Sequence, residues 1–503
     1  MGRTLTRNAN LQVARESSIG TLPGSPSWLS LQPNEFSLGA EVVKTARDKL
    51  ITKDRNRRKG AVTDLNSAVR VDSDLIMEHL DEFVEASVMS ASTWTANAKR
   101  WIPTAVVAAT DTFTVPSGGA ITAGWLVHAR GFANTANNGL HVVDVGSTGT
   151  TVKVTTALVD EAAIPATQNV SLQVAGVQTA VGDLDMNASG NLTSTALDFT
   201  TLGLTVGQVI KIGGSTGATQ FSTAANNGYA RIAAIAANLL TLDRRSATFV
   251  VEANTTKTVQ IFFGGFVRNV AVDHASFLGP GATTPRSYTF EAAYENLGAA
   301  AGDDAFEYAR GNVLNVTTIG LPLAEKSSLT LEFVGTTADT PVEVAGRATN
   351  ASSPRAVVSQ MMYNTSSDLA RLIVAEADET GLSTDFKSLT FRINNGVQPE
   401  KVLGTLGAAY MNHGGLMVDA EMELLFSDLD VIEAIRNNET VGMWFTLKNT
   451  DGGVAVDVPS MELDTAEKGL PEDASITISL TGHAIKDATL GTSVSFSMFP
   501  YLP

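Results

Sequence analysis

The run Gly213-Gly214-Ser215-Thr216-Gly217 has the Gly-x-Ser-x-Gly spacing that can present a serine nucleophile on a sharp strand-to-helix turn. The residues that follow, Ala218-Thr219-Gln220-Phe221, lead into another β-type segment rather than a helix, so the run reads as a hairpin loop. The six histidines are His79, His128, His141, His274, His413 and His483, and they form neither a His-Glu-x-x-His pair nor any close ligand spacing. His79 falls on the apolar face of a predicted helix, the place of a core histidine. The carboxylate pairs Asp72/Asp74, Asp183/Asp185 and Asp428/Asp430 are too sparse for a calcium loop and are expected to cap helices or to lie in a linker. Cysteine is absent, which removes thiolate ligands, disulfides and cysteine nucleophiles together. No glycine pair continues into the Lys-Ser/Thr of a phosphate loop. These residues predict no enzyme, no cofactor and no metal site.

Charge points elsewhere. The 503 residues carry 35 Lys and Arg against 52 Asp and Glu, a net charge of −17. Within that acidic chain, the stretch from Arg47 to Gly60 contains Arg47, Lys49, Lys53, Arg55, Arg57, Arg58 and Lys59. It could be a solvated loop, a nucleic-acid contact, or a contact with an acidic surface on another copy. No aromatic residues are interleaved for base stacking, and the overall acidity opposes phosphate binding. Contact with another copy is therefore favoured. Opposite patches on one molecule lead to head-to-tail association, which closes into rings or propagates as filaments.

The elements that must carry such contacts show in composition and repeats. A 44% hydrophobic and 17% charged chain of this length is folded and multi-domain. No run approaches the roughly 18 apolar residues of a membrane span, and Met1 to Arg15 lacks the apolar core of a secretory signal. The expectation is a chain made in a cytosol, with no membrane partner. The tetrad Ala136-Asn137-Asn138-Gly139 recurs as Ala225-Asn226-Asn227-Gly228, each copy between a preceding strand pattern and a following one. This predicts two small all-β modules, over 103–177 and 187–266.

A second repeat lies in the outer parts. Gly320-Leu321-Pro322 precedes the alternating Leu329–Gly335, and Gly469-Leu470-Pro471 precedes Ile476–Gly482. Upstream of the first, a strand at Ala68–Val71 is expected to lead into a helix from Asp72 to Ala86. Upstream of the second, a strand at Leu416–Phe426 leads into a helix from Ser427 to Arg436, with Ser427 and Asp430 in a capping arrangement. The shared order implies duplication. Copy one occupies 1–92 and 267–347, interrupted by the modules, and copy two occupies 355–503, with Ala348–Pro354 as the linker. An insertion at such a site should project from the surface.

The segment Phe36-Ser37-Leu38-Gly39-Ala40-Glu41, with Arg47-Asp48 and Asp54-Arg55-Asn56-Arg57-Arg58-Lys59-Gly60 after it, resembles the start of the tail tube proteins of long-tailed bacteriophages. The resemblance implies a mainly β (α+β) protein: two tandem tube-type β-sandwich domains, each with a flanking helix, plus the two inserted β-modules. It further implies subunits that form rings stacked into a hollow virion tail, with inner sheets joined into a barrel and viral DNA passing without specific binding. The same resemblance implies tape-measure, tail-terminator and distal-tail proteins as further partners. Arg47, Asp48, Asp54, Arg55, Arg57, Arg58 and Lys59 then become the element that grips the neighbouring ring. Two fused tube domains reach a pseudo-sixfold ring with three chains, a hexamer of chains being the alternative. A different class stays open: an adhesin or fibre-like protein whose modules bind a surface carbohydrate.

Overall fold

Alternation with a period of two dominates the chain, and the computed structural model is mostly β. It describes residues 9–46, 59–90, 100–165, 167–269, 286–297, 303–339, 341–356, 361–376, 381–383, 385–426, 430–469 and 475–503. Two α-helices occur among the described residues: α1, Met77–Ser87, and α2, Asp430–Asn437.

The two outer parts have the same topology. In the first, Ala9–Arg15 pairs with Ser287–Tyr294, which pairs with the long strand Ala305–Leu321. That strand pairs with Ser328–Gly335, which pairs with Ala61–Asp74, and this in turn with Glu35–Thr45. In the second, the order is Leu369–Glu376, Val441–Asn449, Gly452–Gly469, Thr477–Ala484, Met417–Leu425 and Phe386–Asn394. Every pairing is antiparallel. Even the irregularities correspond: one long strand shifts register between Leu314 and Val316, the other between Leu463 and Thr465.

The halves share one sheet. Val316–Leu321 of the first pairs with Leu389–Asn394 of the second, Thr318 opposite Arg392 and Gly320 opposite Thr390. A single core runs through both, including Val71, Leu331, Phe333, Ile319, Phe391, Met422 and Leu480.

One expectation is corrected at α1. The strand does not give way to a helix at Asp72 but continues to Asp74, because Val69, Val71 and Ser73 keep facing the core while Asp72 and Asp74 take partners across the sheet. Asp72 accepts from Arg70 Nε at 2.8 Å and Thr330 Oγ1 at 2.6 Å, and Asp74 meets Lys326 at 2.8 Å. These carboxylates are therefore strand residues, not helix caps. The acidic side of α1 is also buried. Glu78 meets Arg130, Asp81 meets Arg100, Glu82 meets Arg15 and Glu85 meets Arg286, at 2.5–3.3 Å. At the end of α1, the carbonyls of Ala86 and Ser87 accept from Asn395 Nδ2 of the second half, which satisfies groups a helix terminus leaves open. His79 is a core residue as expected; burial pushes it down to about 4, so it is neutral at pH 7. The Ser427 cap and Asp428 lie outside the described residues.

The strands between 105 and 262 form sheets of their own. Both modules are held by the same side-chain network. Asn138 exchanges two hydrogen bonds with the backbone of Phe132, and Asn227 does the same with Phe221. Asn137 bridges Val159 and Glu161; Asn226 bridges Val250 and Glu252. The asparagines of the repeated tetrad thus act through their amides, Asn137 and Asn226 fully buried, each satisfying backbone groups that no ladder reaches. Ile232–Leu242 falls in the paired strands Tyr229–Ala236 and Leu239–Asp243.

The insertion does not merely project. Leu126, Val209, Tyr229 and Phe262 pack on Trp444, Ala455, Phe499 and Leu502 of the second half. Beside this contact Asp457, 1% exposed, receives Arg231 at 3.1 Å and Arg244 at 2.8 Å. Arg244 also donates to the carbonyl of Pro459 at 2.7 Å. A Cβ on Gly442 would lie 1.6 Å from Arg244, so only glycine admits the guanidinium. Removing the shared acid leaves Arg244 without its charge partner and Arg231 with Asp243 alone. Asp457→Ala should cost about 3–5 kcal/mol, measured as a shift in chemical denaturation, whereas Asp457→Ala combined with loss of both arginines should recover part of it.

Candidate assembly interface

The C-terminal parts of the long strands, with the strands beside them, make one continuous eight-stranded sheet. It runs from Glu35–Thr45 at one edge through the junction of the halves to Leu463–Gly469 at the other. One face carries the core. The other is open, because in each strand the alternate side chains are polar: Arg70, Asp72 and Asp74; Thr330 and Glu332; Thr390 and Arg392; Asp419, Glu421 and Glu423; Glu462 and Asp464.

Carboxylates outnumber cations on this face. Arg70 is shared between Asp72 and Glu332, and Lys387 pairs with Glu423 at 2.7 Å. Hydrogen bonds from Arg70, together with Thr330, hold Asp72 below the usual carboxylate range. His483 is opposite Glu462 on one side and Asp419 on the other, in register across three strands. Its Nδ1 is 2.9 Å from Asp464 and its Nε2 3.6 Å from Glu462. The hydrogen bond to Asp464 and the surrounding acids raise its pKa above the ordinary value. Sequence reading left this histidine unplaced, since its partners come from three strands.

The two edges are open among the described residues. Glu35–Thr45 has a strand only on its Ala61–Asp74 side, and Leu463–Gly469 only on its Thr477–Ala484 side. An open edge presents a row of unpaired backbone groups and is a template for another strand. Ala61–Asp74 begins beside the basic run. Gly60 lies where a Cβ would meet the Thr45 carbonyl at 2.4 Å, which is why glycine closes the pairing there. Lys59 is described and exposed; Arg47, Asp48, Asp54, Arg55, Arg57 and Arg58 lie outside the described residues.

The other residues weighed for chemistry are not brought together. Ser215 is exposed in a turn, with no helix after it. Asp183 accepts from Ser194, Thr195 and Ala196 in a loop of the second module. His128 is pushed down to about 3 by burial and sits against Tyr501 in the docking surface.

A pH titration followed by histidine NMR should place His483 above the ordinary value, and Asp464→Asn should bring it down. A raised folded pKa stabilises below the unfolded pKa and is lost as pH rises through the folded one, so the contribution of His483 should fade above pH 6.5.

Comparison with known proteins gives one family. A family model described as phage tail tube protein matches residues 246–484, from the end of the second module through most of the second half. No curated protein matches the chain.

Proposed function

We propose that the chain, whose residues 246–484 match the phage tail tube family, is a tail tube protein that polymerises as stacked rings into the hollow conduit of a phage tail. The observation that carries this reading is the eight-stranded sheet, closed on one face, open and acidic on the other, and unpaired at both edges among the described residues. Bent into a ring, such a sheet turns its open face to the lumen. A wall of carboxylates repels the phosphates of DNA, and binding by counterion release, which needs Lys and Arg, does not arise. The genome passes without being held.

The matching topology of the halves supports treating 1–92 with 267–347 as one tube unit and 355–503 as another. Three chains then supply six units, a trimeric ring of pseudo-sixfold symmetry; six chains per ring is the competing count. The modules at 103–177 and 187–266 dock on Trp444, Ala455 and Phe499, in strands that lie apart from the open face, and this suits decoration of the exterior. Arg47, Arg55, Arg57, Arg58 and Lys59, with Asp48 and Asp54, are assigned to the contact with the next ring. The ends of the tube would meet tape-measure, terminator and distal-tail proteins.

Concentrated full-length protein should form hollow rods in negative-stain electron microscopy; particles that stay dispersed at every concentration contradict the reading. Reversing Arg55, Arg57 and Arg58 together to Glu should abolish rods and leave the melting temperature unchanged. Rods that persist would remove the basic run from the contact between rings.

A further inference from the structure

The junction between the two halves contains a template for the junction between chains. Matching the strand partners in turn makes Gly320 equivalent to Gly469, Leu331 to Leu480, Val71 to Met422 and Phe36 to Leu389. The same tracing through the other layer makes Leu11 equivalent to Leu372.

At the internal junction the first half pairs its long strand with the edge Leu389–Asn394, and the corner after it, Leu321-Pro322-Leu323, borders the same small pocket as Leu369, Leu372 and Leu389. The space left there is about 170 Å³. At the corresponding place in the first half no described segment fills the position. A groove of about 580 Å³ lies open, lined by Asn10, Leu11, Leu31, Pro33, Phe36 and Tyr294. Leu11 and Phe36 in this groove are the equivalents of Leu372 and Leu389, the residues that border the corner's pocket in the second half. The second half ends its own long strand at Gly469, and the sequence continues Leu470-Pro471, repeating Leu321-Pro322.

We infer that the groove at Leu11 and Phe36 is the socket for the Leu470-Pro471 segment of a second copy, a segment outside the described residues, whose preceding Thr465–Gly469 pairs antiparallel with Ser37–Glu41. This rests on the ring reading above and adds to it the contacting edges, their register and the occupant of the groove. The internal register transfers residue for residue. Val316 opposite Asn394 becomes Thr465 opposite Glu41, Thr318 opposite Arg392 becomes Glu467 opposite Gly39, and Gly320 opposite Thr390 becomes Gly469 opposite Ser37. Both strands are free on the required side among the described residues, and both are exposed. The association is heterologous: one chain offers the end of its long strand, the next the socket, and closure after a whole number of chains makes a ring.

The natural chain has no cysteine, so an introduced pair reports this joint alone. Residues directly opposite in an antiparallel pair have Cα atoms about 4.5–5.5 Å apart, within disulfide reach. Full-length protein carrying Glu41→Cys and Thr465→Cys should, once assembled and mildly oxidised, run on non-reducing gels as covalent species that climb from monomer to one closed ring and stop. The out-of-register pair Ser37→Cys with Thr465→Cys should stay monomeric. Rings or rods in the microscope without the in-register cross-link, or with equal cross-linking of both pairs, would overturn this joint while leaving the ring reading intact. Failure of the unmodified chain to assemble would overturn the ring reading, and the joint with it.

Discussion

A sheet edge must find a partner, and the molecule is arranged around where its edges do and do not. The backbone pairing of Val316–Leu321 with Leu389–Asn394 joins two copies of one topology into a single sheet and gives them a common core. Each hydrogen bond in such a ladder contributes only about 1 kcal/mol net, but a buried backbone group left unpaired costs about 1–3 kcal/mol. The junction is therefore set as much by what separation would leave unsatisfied as by what pairing gains. Because the halves are equivalent, pairing at the junction leaves one edge of each kind open at the ends.

Charge is distributed in keeping with that geometry. On the open face, carboxylates sit exposed among few cations. Inside, the same residue types are neutralised one by one: each acid of α1 meets an arginine, two of these arginines, Arg100 and Arg130, coming from the inserted segment. The insertion is thus tied to both halves, to the first through Glu78 and Asp81, and to the second through Asp457 and the apolar contact around Trp444. Buried pairs of this kind contribute little net stability over an apolar contact, but they hold one arrangement, since any other leaves a charge without its partner.

Much of this was legible in the residues. The two Ala-Asn-Asn-Gly tetrads stood out because Asn137 and Asn226 serve the corresponding set of backbone groups, and Gly320 and Gly469 hold equivalent places in the two long strands. What local pattern did not reveal depends on distant partners. Asp72 and Asp74 looked like the start of a helix, and only Thr330 and Lys326, far along the chain, explain why the strand runs on. The partners of the acids of α1 were not legible either, since nothing near them in sequence announces Arg15, Arg100 or Arg286. His483 and its ring of carboxylates could not be read from any single strand.

The central claim is that two equivalent tube units in one chain do the work of two separate subunits. The most direct test is the number of chains in one ring, read from the rotational symmetry of end-on views of assembled protein together with the mass of an isolated ring. Three chains, with threefold symmetry and six similar lobes around the lumen, are predicted. Six chains per ring, or a lumen wall built from only one of the two halves, would contradict the account.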